Sequence, residues 1–153
     1  MTIRAAAKNE ADVLSAIAIE SKAYWGYSEE FLRACEDELR VSPEDIESTD
    51  LTVCLHEEGD EIAGFYVTRE ISSSRAELEA LFVRPAYIGK GFGRSLLQHA
   101  VSDLQRRGFA TLCIQGDPHA TRFYLAAGAI HTGERPSESI PGRNLPIFEI
   151  DLL

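Results

Sequence analysis

Three alternate glycines between a predicted strand and a predicted helix constrain this chain more than any other feature. They lie in the segment Leu81-Phe82-Val83-Arg84-Pro85-Ala86-Tyr87-Ile88-Gly89-Lys90-Gly91-Phe92-Gly93-Arg94. Glycine permits a positive φ and lets the backbone approach a ligand closely. The free N–H groups at the start of the following helix, together with its dipole, favour an anion such as pyrophosphate. The segment therefore predicts either an anion-binding loop, with Lys90 and Arg94 adding positive charge, or a plain strand-to-helix turn.

Two common phosphate-binding motifs do not fit this loop. A Walker loop requires Gly-x-x-x-x-Gly-Lys-Ser/Thr, which the chain lacks. The dinucleotide-binding fingerprint requires Gly-x-Gly-x-x-Gly, but Arg94 stands where the third glycine would be. That fingerprint also lies directly after the first strand of a parallel sheet, whereas this loop follows several predicted strands. The spacing therefore excludes both motifs.

The hydrophobic periodicity of the rest of the chain predicts a mixed sheet with helices on its faces. Strand spacing is present at 2–7, 51–56, 62–69, 76–83, 110–115 and 147–152. Helices are predicted from an N-cap at Asn9 to about Lys22, from Ser28, from Ser42, over 92–107 and over 120–127. A turn around Gly59 predicts a hairpin between two of the strands, and a loop over 137–146 is expected to join the last two.

Length and charge limit both the number of domains and the class of partner. A chain of 153 residues with no repeat and no long linker predicts one domain over residues 1–153. Its net charge of −10 argues against nucleic acid and against an anionic membrane surface as the main partner. No apolar run approaches the ~18 residues that span a bilayer, and residues 1–9 lack the pattern of a signal peptide.

The cysteines and histidines predict reduced thiols and no metal site. Cys35, Cys54 and Cys113 form no close pair, and an odd number of cysteines suits the reducing cytoplasm. The four histidines show no ligand spacing with one another or with a cysteine. We therefore expect a cytoplasmic protein that binds no metal.

Two segments in order give the chain a resemblance to a known family. The glycine loop resembles the Arg/Gln-x-x-Gly-x-Gly/Ala coenzyme A loop of the GNAT N-acetyltransferase superfamily. Further along, Asp117-Pro118-His119-Ala120-Thr121-Arg122-Phe123-Tyr124-Leu125-Ala126-Ala127-Gly128 is similar to the family segment Asn-x-x-Ala-x-x-Phe-Tyr-x-x-x-Gly. The similarity is good over 77–129, and the order of predicted elements extends it over nearly the whole chain. The chain departs from the family at Ile88, usually Arg or Gln, and at Asp117, usually Asn.

The resemblance implies a fold, an activity and a cofactor. The fold is α/β of the mixed α+β kind, with a central mixed sheet of six to seven strands and about four flanking helices. The activity is direct transfer of an acetyl group from acetyl-CoA to a primary amine of a small molecule or peptide, by a monomer or homodimer. The residues implied to bind coenzyme A are Leu81, Phe82, Val83, Ile88, Gly89, Lys90, Gly91, Phe92, Gly93, Arg94, Ser95, Asp117, Ala120 and Tyr124. The backbone of 81–83 would pair with the pantetheine arm.

Such a transfer needs a base and an acid, and the resemblance supplies candidates for both. An amine with a pKa of about 10.4 is mostly ammonium at pH 7, so a base must take up a proton. Glu77 and Glu79 stand two apart on one strand and are expected to share a face. Both lie near the position of the family's base, and the alternative is a pair of solvated carboxylates. Tyr124 matches the tyrosine that protonates the departing thiolate, and the alternative is a core aromatic residue.

The acceptor side is predicted from composition rather than from a motif. Trp25 and Tyr27, in Tyr24-Trp25-Gly26-Tyr27, either cage an amine through cation–π contacts or plug the space between two helices. Arg143 or Ser139, in the late loop, either touches the substrate or belongs to a plain hairpin connection.

Residues 1–60 carry 15 acidic and 5 basic side chains, whereas 61–153 carry 10 of each. This acidic excess either attracts a cationic amine or serves solubility.

Two other functions are compatible with the same fold. One is a ping-pong enzyme with Cys54 as nucleophile and His56 as its base, although alternate positions on one strand do not align such a pair. The other is a non-catalytic acyl-CoA-binding sensor or interaction module. The presence of Tyr124 together with Glu77 and Glu79 argues against a pure binder, which needs none of them.

Overall fold

Seven strands form one mixed sheet in the order β1-β2-β3-β4-β5-β7-β6 in the computed structural model, which describes residues 2–153. The strands are β1 (Thr2–Ala5), β2 (Leu51–Glu58), β3 (Glu61–Glu70), β4 (Arg75–Val83), β5 (Thr111–Gln115), β6 (Ile130–Pro136) and β7 (Asn144–Asp151). The helices are α1 (Ala11–Ala23), α2 (Glu29–Leu39), α3 (Pro43–Glu47), α4 (Phe92–Arg106) and α5 (Thr121–Ala126). Short 3-10 turns cover Lys8–Glu10, Pro85–Tyr87 and Pro118–Ala120. The expected mixed α/β fold is confirmed.

The helices cover both faces of the sheet and divide the core into two layers. On one face, α4 buries Leu96, Leu97 and Leu104 against the central strands. On the other face, α1 buries Leu14 and Ile17 in a cluster that includes side chains of α2. Hydrophobic residues at helical spacing form each layer, because only one stripe of each helix faces the sheet.

The sheet opens at its centre, between its only parallel pair of strands among the described residues. β4 pairs with β5 over only four positions, from Arg75 opposite Thr111 to Leu78 opposite Ile114. At the next position β4 contains a bulge, since Thr68 of β3 pairs with Leu78 and Val67 pairs with Ala80. The extra residue, Glu79, bends the strand. Residues 79–83 therefore stay beside β3 while their other edge separates from β5.

The predicted helix starts at Ser28 and Ser42 are confirmed, whereas the N-cap predicted at Asn9 is wrong. The Ser28 and Ser42 hydroxyls accept the N–H groups of Phe31 and Asp45. Asn9 instead lies inside a 3-10 turn, and Glu10 precedes α1 without capping it. The Glu10 carboxylate is turned back towards β1, where it pairs with Arg4 at 2.7 Å and accepts the Ala7 N–H.

The late loop is shorter than predicted, because Asn144–Pro146 belongs to β7. Leu145 is buried, and the Pro146 carbonyl accepts the N–H of Gly116, so these residues continue the sheet. The remaining loop, 137–143, closes on itself through a hydrogen bond from the Ser137 N–H to the Arg143 carbonyl.

The structure also bears on the cysteines and on membrane insertion. All three cysteines are free, with Cys35 and Cys54 buried and Cys113 half-buried. Within residues 2–153, no helix has both the length and the apolar character that a bilayer crossing requires. The same residues contain no group of three or more His, Cys, Asp or Glu side chains arranged to hold a metal ion.

Candidate active site

A cleft of about 860 Å³ occupies the opening between β4 and β5. Its walls come from the outer half of β4, the glycine loop, the turn before α5, the ends of α1 and α2, and the loop 137–143. β4 thus presents unpaired backbone N–H and C=O groups to the cleft, and such groups pair readily with an extended ligand. The bulge at Glu79 and the end of β5 at Gln115 lie where this opening begins.

The glycine loop places the start of α4 at one end of the cleft. Gly89 and Gly91 have φ values of 82° and 87°. Residues with a Cβ atom adopt this left-handed backbone conformation only at a cost in free energy. Gly91 stands at the N-cap of α4 and offers no side-chain cap, so the first N–H groups of the helix have no capping partner there. Arg94 also lines the cleft. Backbone donors, helix dipole and one guanidinium make this end of the cleft suitable for an anion.

Most of the residues predicted to bind coenzyme A line this one cleft. They are Leu81, Phe82, Val83, Ile88, Gly89, Gly91, Gly93, Arg94, Asp117, Ala120 and Tyr124. Lys90, Phe92 and Ser95 do not line it. The Lys90 ammonium lies 5.8 Å from the ring centre of Tyr87, Phe92 packs against His56 and Tyr87, and the Ser95 N–H donates to the Gly91 carbonyl within the first turn of α4.

Tyr124 lies on α5 and lines the cleft. Its side chain is only 6% exposed and contacts Phe123 and Phe148, with ring centres 5.1 and 5.4 Å away. A Cβ on Gly116 would stand 3.1 Å from the Tyr124 ring, a tight contact that glycine avoids. Burial, followed by the charge of Asp117, raises the pKa of Tyr124 above its ordinary value. The phenol is therefore protonated at neutral pH, and no residue within 2–153 receives a hydrogen bond from it.

Glu77 and Glu79 both line the cleft, as their predicted common face requires, but their partners differ. Glu79 is held by Arg69, whose Nε and Nη2 donate to its two oxygens. Glu77 makes one looser ion pair, with Arg135 Nη1 at 3.5 Å. The same Arg135 nitrogen also donates to Gln115 Oε1 at 3.2 Å. Glu79 is thus committed to a structural pair, whereas Glu77 keeps free acceptor capacity.

Elsewhere in the lining of the cleft, one carboxylate holds side chains from two distant segments, the end of α1 with the residues after it and the loop 137–143. Asp117 Oδ2 lies 2.8 Å from Lys22 Nζ and 3.5 Å from Arg143 Nη2. The Tyr27 hydroxyl donates to the same carboxylate at 3.0 Å and accepts from Arg143 Nη2 at 2.8 Å. Asp117 Oδ1 accepts the N–H of His119. We call Lys22, Tyr27, Asp117 and Arg143 the Asp117 cluster.

The Asp117 cluster fixes the protonation of its members. Burial opposes ionisation of Asp117, but the hydrogen bond and charge of Lys22 outweigh it and hold the pKa of that carboxyl below its usual range. Burial, with the charge of Asp117, raises the pKa of Tyr27 to about 12. Asp117 is therefore ionised and Tyr27 neutral at pH 7. Aspartate in place of the family's asparagine keeps the hydrogen bond to the turn before α5 and adds a charge that pairs with two cations.

The aromatic residues near α1 do not form the open cage that the sequence suggested. Trp25 lines the cleft, but its ring stacks on His119 at 5.2 Å, with 5° between the planes. Tyr27 stacks on Phe31 at 4.1 Å and does not line the cleft. The rings are used to join the α1–α2 connection to neighbouring segments, which leaves the exposed side of Trp25 for contact with a ligand.

The cleft is also not acidic, which corrects one interpretation of the charge asymmetry. Its basic lining residues are Lys22, Arg40, Arg69, Arg94, Arg135 and Arg143, and its acidic ones are Glu38, Asp45, Glu77, Glu79, Asp117 and Glu138. The two sets balance. Only Glu38 and Asp45 come from the acidic first 60 residues, and Lys22 and Arg40 of the same segment offset them. The acidic excess therefore lies on the outer surface.

The Cys54–His56 pair suggested for a ping-pong enzyme lies outside the cleft. Cys54 is buried, and this burial raises the pKa of its thiol. His56 packs edge-on against Phe92, 4.7 Å away. A neutral, enclosed thiol with no access to the cleft does not act as a nucleophile there.

The family comparison agrees with this geometry. The family model described as "Acetyltransferase (GNAT) family" matches residues 17–129. The chain belongs to the GNAT acetyltransferase family. A curated relative, the uncharacterized N-acetyltransferase YsnE of Bacillus subtilis (strain 168), is 28% identical over 58 residues. This match spans 38% of the present chain and 38% of the relative's length.

Solved structures of other proteins share the fold. The PaiA N-acetyltransferase from Thermoplasma acidophilum, in complex with coenzyme A, has a TM-score of 0.82 and 21% identity, and the match covers 98% of both chains. The protein yncA from Salmonella typhimurium, solved with acetyl-CoA, has a TM-score of 0.72 and 21% identity, over 99% of this chain and 94% of that one. These likenesses concern the fold and its seven-stranded sheet.

Proposed function

We propose that this chain is an acetyl-CoA-dependent N-acetyltransferase that moves the acetyl group directly to a primary amine of a small molecule or peptide. One observation carries the proposal. An unpaired strand edge, an uncapped helix start and a buried, protonated tyrosine with a free hydroxyl line the same cleft. In acetyl transfer from acetyl-CoA, these three elements would hold the pantetheine arm, bind the pyrophosphate and protonate the thiolate.

The residues present fit coenzyme A. The free edge of 79–83 would pair with the amide groups of the pantetheine arm as a neighbouring strand would. The N–H groups at the start of α4 would bind the pyrophosphate, assisted by Arg94. Ile88 contributes no charge, and Lys90 lies outside the cleft lining, so backbone donors carry more of this contact than the family's usual Arg or Gln would require.

The amine is activated by Glu77 in this proposal. Glu79 has both oxygens engaged by Arg69, whereas Glu77 has a single contact at 3.5 Å and so is free to accept a proton. Glu77 takes the proton directly or through a water molecule, because the amine must be neutral to attack. By the family resemblance, Glu77 also stands at the position where histone-type members of the GNAT superfamily have their general base.

The transfer itself follows from these positions. The amine nitrogen attacks the thioester carbonyl carbon, and a backbone N–H near Phe82 on the free edge of β4 stabilises the developing oxyanion. The carbon–sulfur bond then breaks, and Tyr124 donates its proton to the thiolate. A phenol held against a thiolate of pKa about 8.5 is an effective donor. The products are the N-acetylated amine and coenzyme A, and no residue is acetylated on the way.

A thiol-release assay with acetyl-CoA across amines, amino acids, polyamines and peptides tests the activity, and calorimetry with coenzyme A tests the binding. We expect binding in the micromolar range and thiol release that depends on the acceptor. Absence of coenzyme A binding at high micromolar concentration would overturn the assignment of the cleft. Binding without thiol release from any acceptor would favour the alternative, a non-catalytic acyl-CoA sensor.

The proposal also covers the cellular compartment, the binding partners and the oligomeric state of the protein. Free, mostly buried cysteines are compatible with the reducing cytoplasm. We propose action there on a small-molecule or peptide amine, as a monomer or homodimer, without nucleic acid, membrane or metal as a partner. Size-exclusion chromatography with light scattering determines the assembly.

A further inference from the structure

The guanidinium of Arg143 is held at one end and free at the other. Its Nη2 donates to the Tyr27 hydroxyl at 2.8 Å and lies 3.5 Å from Asp117 Oδ2. Its plane is supported by two rings, since its central carbon lies 5.2 Å from the ring centre of Tyr27 and 4.8 Å from that of Phe31. Only 17% of the side chain is exposed. These contacts fix the orientation of a normally flexible side chain.

The remaining donors of Arg143 have no protein partner. Nε and Nη1 form no hydrogen bond or ion pair with any residue from 2 to 153, although Arg143 lines the cleft. Arg69 and Arg135, the other paired arginines of the lining, are engaged by Glu79 and Glu77. Nη1 therefore keeps both of its N–H groups for a ligand, and an arginine N–H that donates to a carboxylate makes a charge-assisted hydrogen bond.

The local charge favours an anion at this place. Asp117 is the single carboxylate, among residues 2–153, that pairs with Lys22 and Arg143, so one positive charge is left uncompensated in a half-buried cluster. Glu38, the other acidic side chain of this part of the cleft, accepts the Ser139 hydroxyl and forms no ion pair with either cation. An acceptor that brings a carboxylate would complete the cluster.

We propose that Arg143 binds a carboxylate of the acceptor, so that the substrate is an amino-acid-like amine rather than a simple alkylamine or a polyamine. This inference rests on the proposed function. The amine would face Glu77 while the carboxylate is held by Arg143, because both residues line the same cleft. Tyr27 and Asp117 act as positioning residues, since they hold the guanidinium without touching the acceptor.

The test compares acceptors that differ only at the carboxylate. Lysine, lysinamide and cadaverine share the same side-chain amine but carry a carboxylate, an amide or a hydrogen atom at the α-carbon. A second pair, β-alanine and 2-aminoethylphosphonate, shows whether a phosphonate can replace the carboxylate. The thiol-release assay should give kcat/KM about 10-fold or more higher for lysine than for lysinamide, a difference typical of a hydrogen bond between two charged groups. Equal or better use of β-alanine than of the phosphonate is expected, and preference for the phosphonate would overturn the choice of carboxylate.

Substitutions test whether Arg143 causes the preference for lysine over lysinamide. Arg143→Gln should abolish the preference by raising KM for lysine, with little change in KM for acetyl-CoA, and Arg143→Lys should restore only part of it. Arg40→Gln is the matched control, because Arg40 lines the same cleft without an ion pair to any residue from 2 to 153 and should leave the preference intact. Tyr27→Phe keeps the stacked ring but removes the hydroxyl that anchors Nη2, so a smaller loss of preference is expected.

The outcomes separate this inference from the function on which it rests. If the wild type acetylates lysinamide or cadaverine as well as lysine, the acetyltransferase proposal stands and the carboxylate site is wrong. If the preference for lysine over lysinamide survives in Arg143→Gln, Arg143 does not bind the carboxylate. The same conclusion follows if the enzyme acetylates other amines but no acceptor that carries a carboxylate. If no acceptor releases thiol and coenzyme A does not bind, both proposals fail together.

Discussion

The two ends of the cleft are built by opposite means. The end proposed for the cofactor consists of backbone: an unpaired strand edge on β4, two left-handed glycines and the first N–H groups of α4. The end proposed for the acceptor consists of side chains, with one carboxylate holding Lys22, Tyr27 and Arg143 from two separate segments. A backbone site recognises a constant ligand and tolerates many side chains, whereas a side-chain site changes its ligand with few substitutions.

Glu77→Gln should have the largest effect, since it removes the base from the side-chain half of the cleft. We expect kcat/KM at neutral pH to fall by on the order of 10²-fold, the usual contribution of a general base. Raising the pH should restore part of the rate, because more of the amine is then neutral. Steady-state thiol release from pH 6 to 9 measures both effects.

Two further variants interpret that result. Glu138→Gln is the control, because Glu138 lines the cleft without an ion pair to any described residue and should leave the rate unchanged. Glu79→Gln should disturb the pair with Arg69 more than the chemistry. A larger loss in Glu79→Gln than in Glu77→Gln would exchange their roles.

Tyr124→Phe tests the residue at the boundary between the two halves. We expect kcat to fall about 10-fold, less than for the base, because a thiolate leaves more easily than an amine gives up its proton. KM for acetyl-CoA should change little, since the ring and its packing against Phe148 are retained. Tyr87→Phe is the matched control, because Tyr87 also lines the cleft but its hydroxyl is engaged by Glu61. An unchanged kcat in Tyr124→Phe would remove the acid role.

Gly91→Ala tests the backbone half on its own. A Cβ at φ 87° costs about 1–2 kcal/mol, and the strain falls on the N-cap residue of α4. We therefore expect coenzyme A to bind several-fold more weakly in calorimetry, with the acceptor preference unchanged. Gly133→Ala is the control, since that glycine has no positive φ and a Cβ added to it would meet no atom within 4 Å. Equal coenzyme A affinity in both variants would contradict the backbone-built anion site.

Asp117→Asn should have the smallest effect, on the pH dependence of stability. The pKa of Asp117 is lowered in the folded state, so its ion pairs stabilise the protein above the ordinary aspartate pKa and are lost as the pH falls through the lowered value. Urea unfolding at pH 7 should show a loss of about 1 kcal/mol in the variant, and the difference should shrink towards pH 3.

A matched surface change completes that comparison. Glu36→Gln on α2 removes an exposed carboxylate that pairs with no residue from 2 to 153, and it should leave the pH profile of stability unchanged. If Asp117→Asn behaves in the same way, the Asp117 cluster contributes nothing to folding and its role is limited to ligand binding.

The sequence predicted the backbone half of the site better than the side-chain half. The glycine loop, the strand before it and the helix after it are contiguous, and glycine spacing with hydrophobic periodicity reports local conformation directly. Lys22 and His119 were missed, because a lysine at a helix end and a histidine in a turn carry no signal of their contacts. Tyr27 and Arg143 were selected as substrate residues, but their contact with each other spans 116 positions.

Local sequence was sufficient for most strands and helices, for the left-handed glycines and for the family resemblance, because these depend on neighbours within a few residues. The assembled fold was needed to locate where β4 leaves β5, through a bulge at Glu79 that interrupts no visible alternation. It was also needed to place the acidic excess outside the cleft and to bring Asp117 to Lys22 from 95 positions away. Pairing register and charge placement depend on residues distant in the chain, and local patterns do not encode those distances.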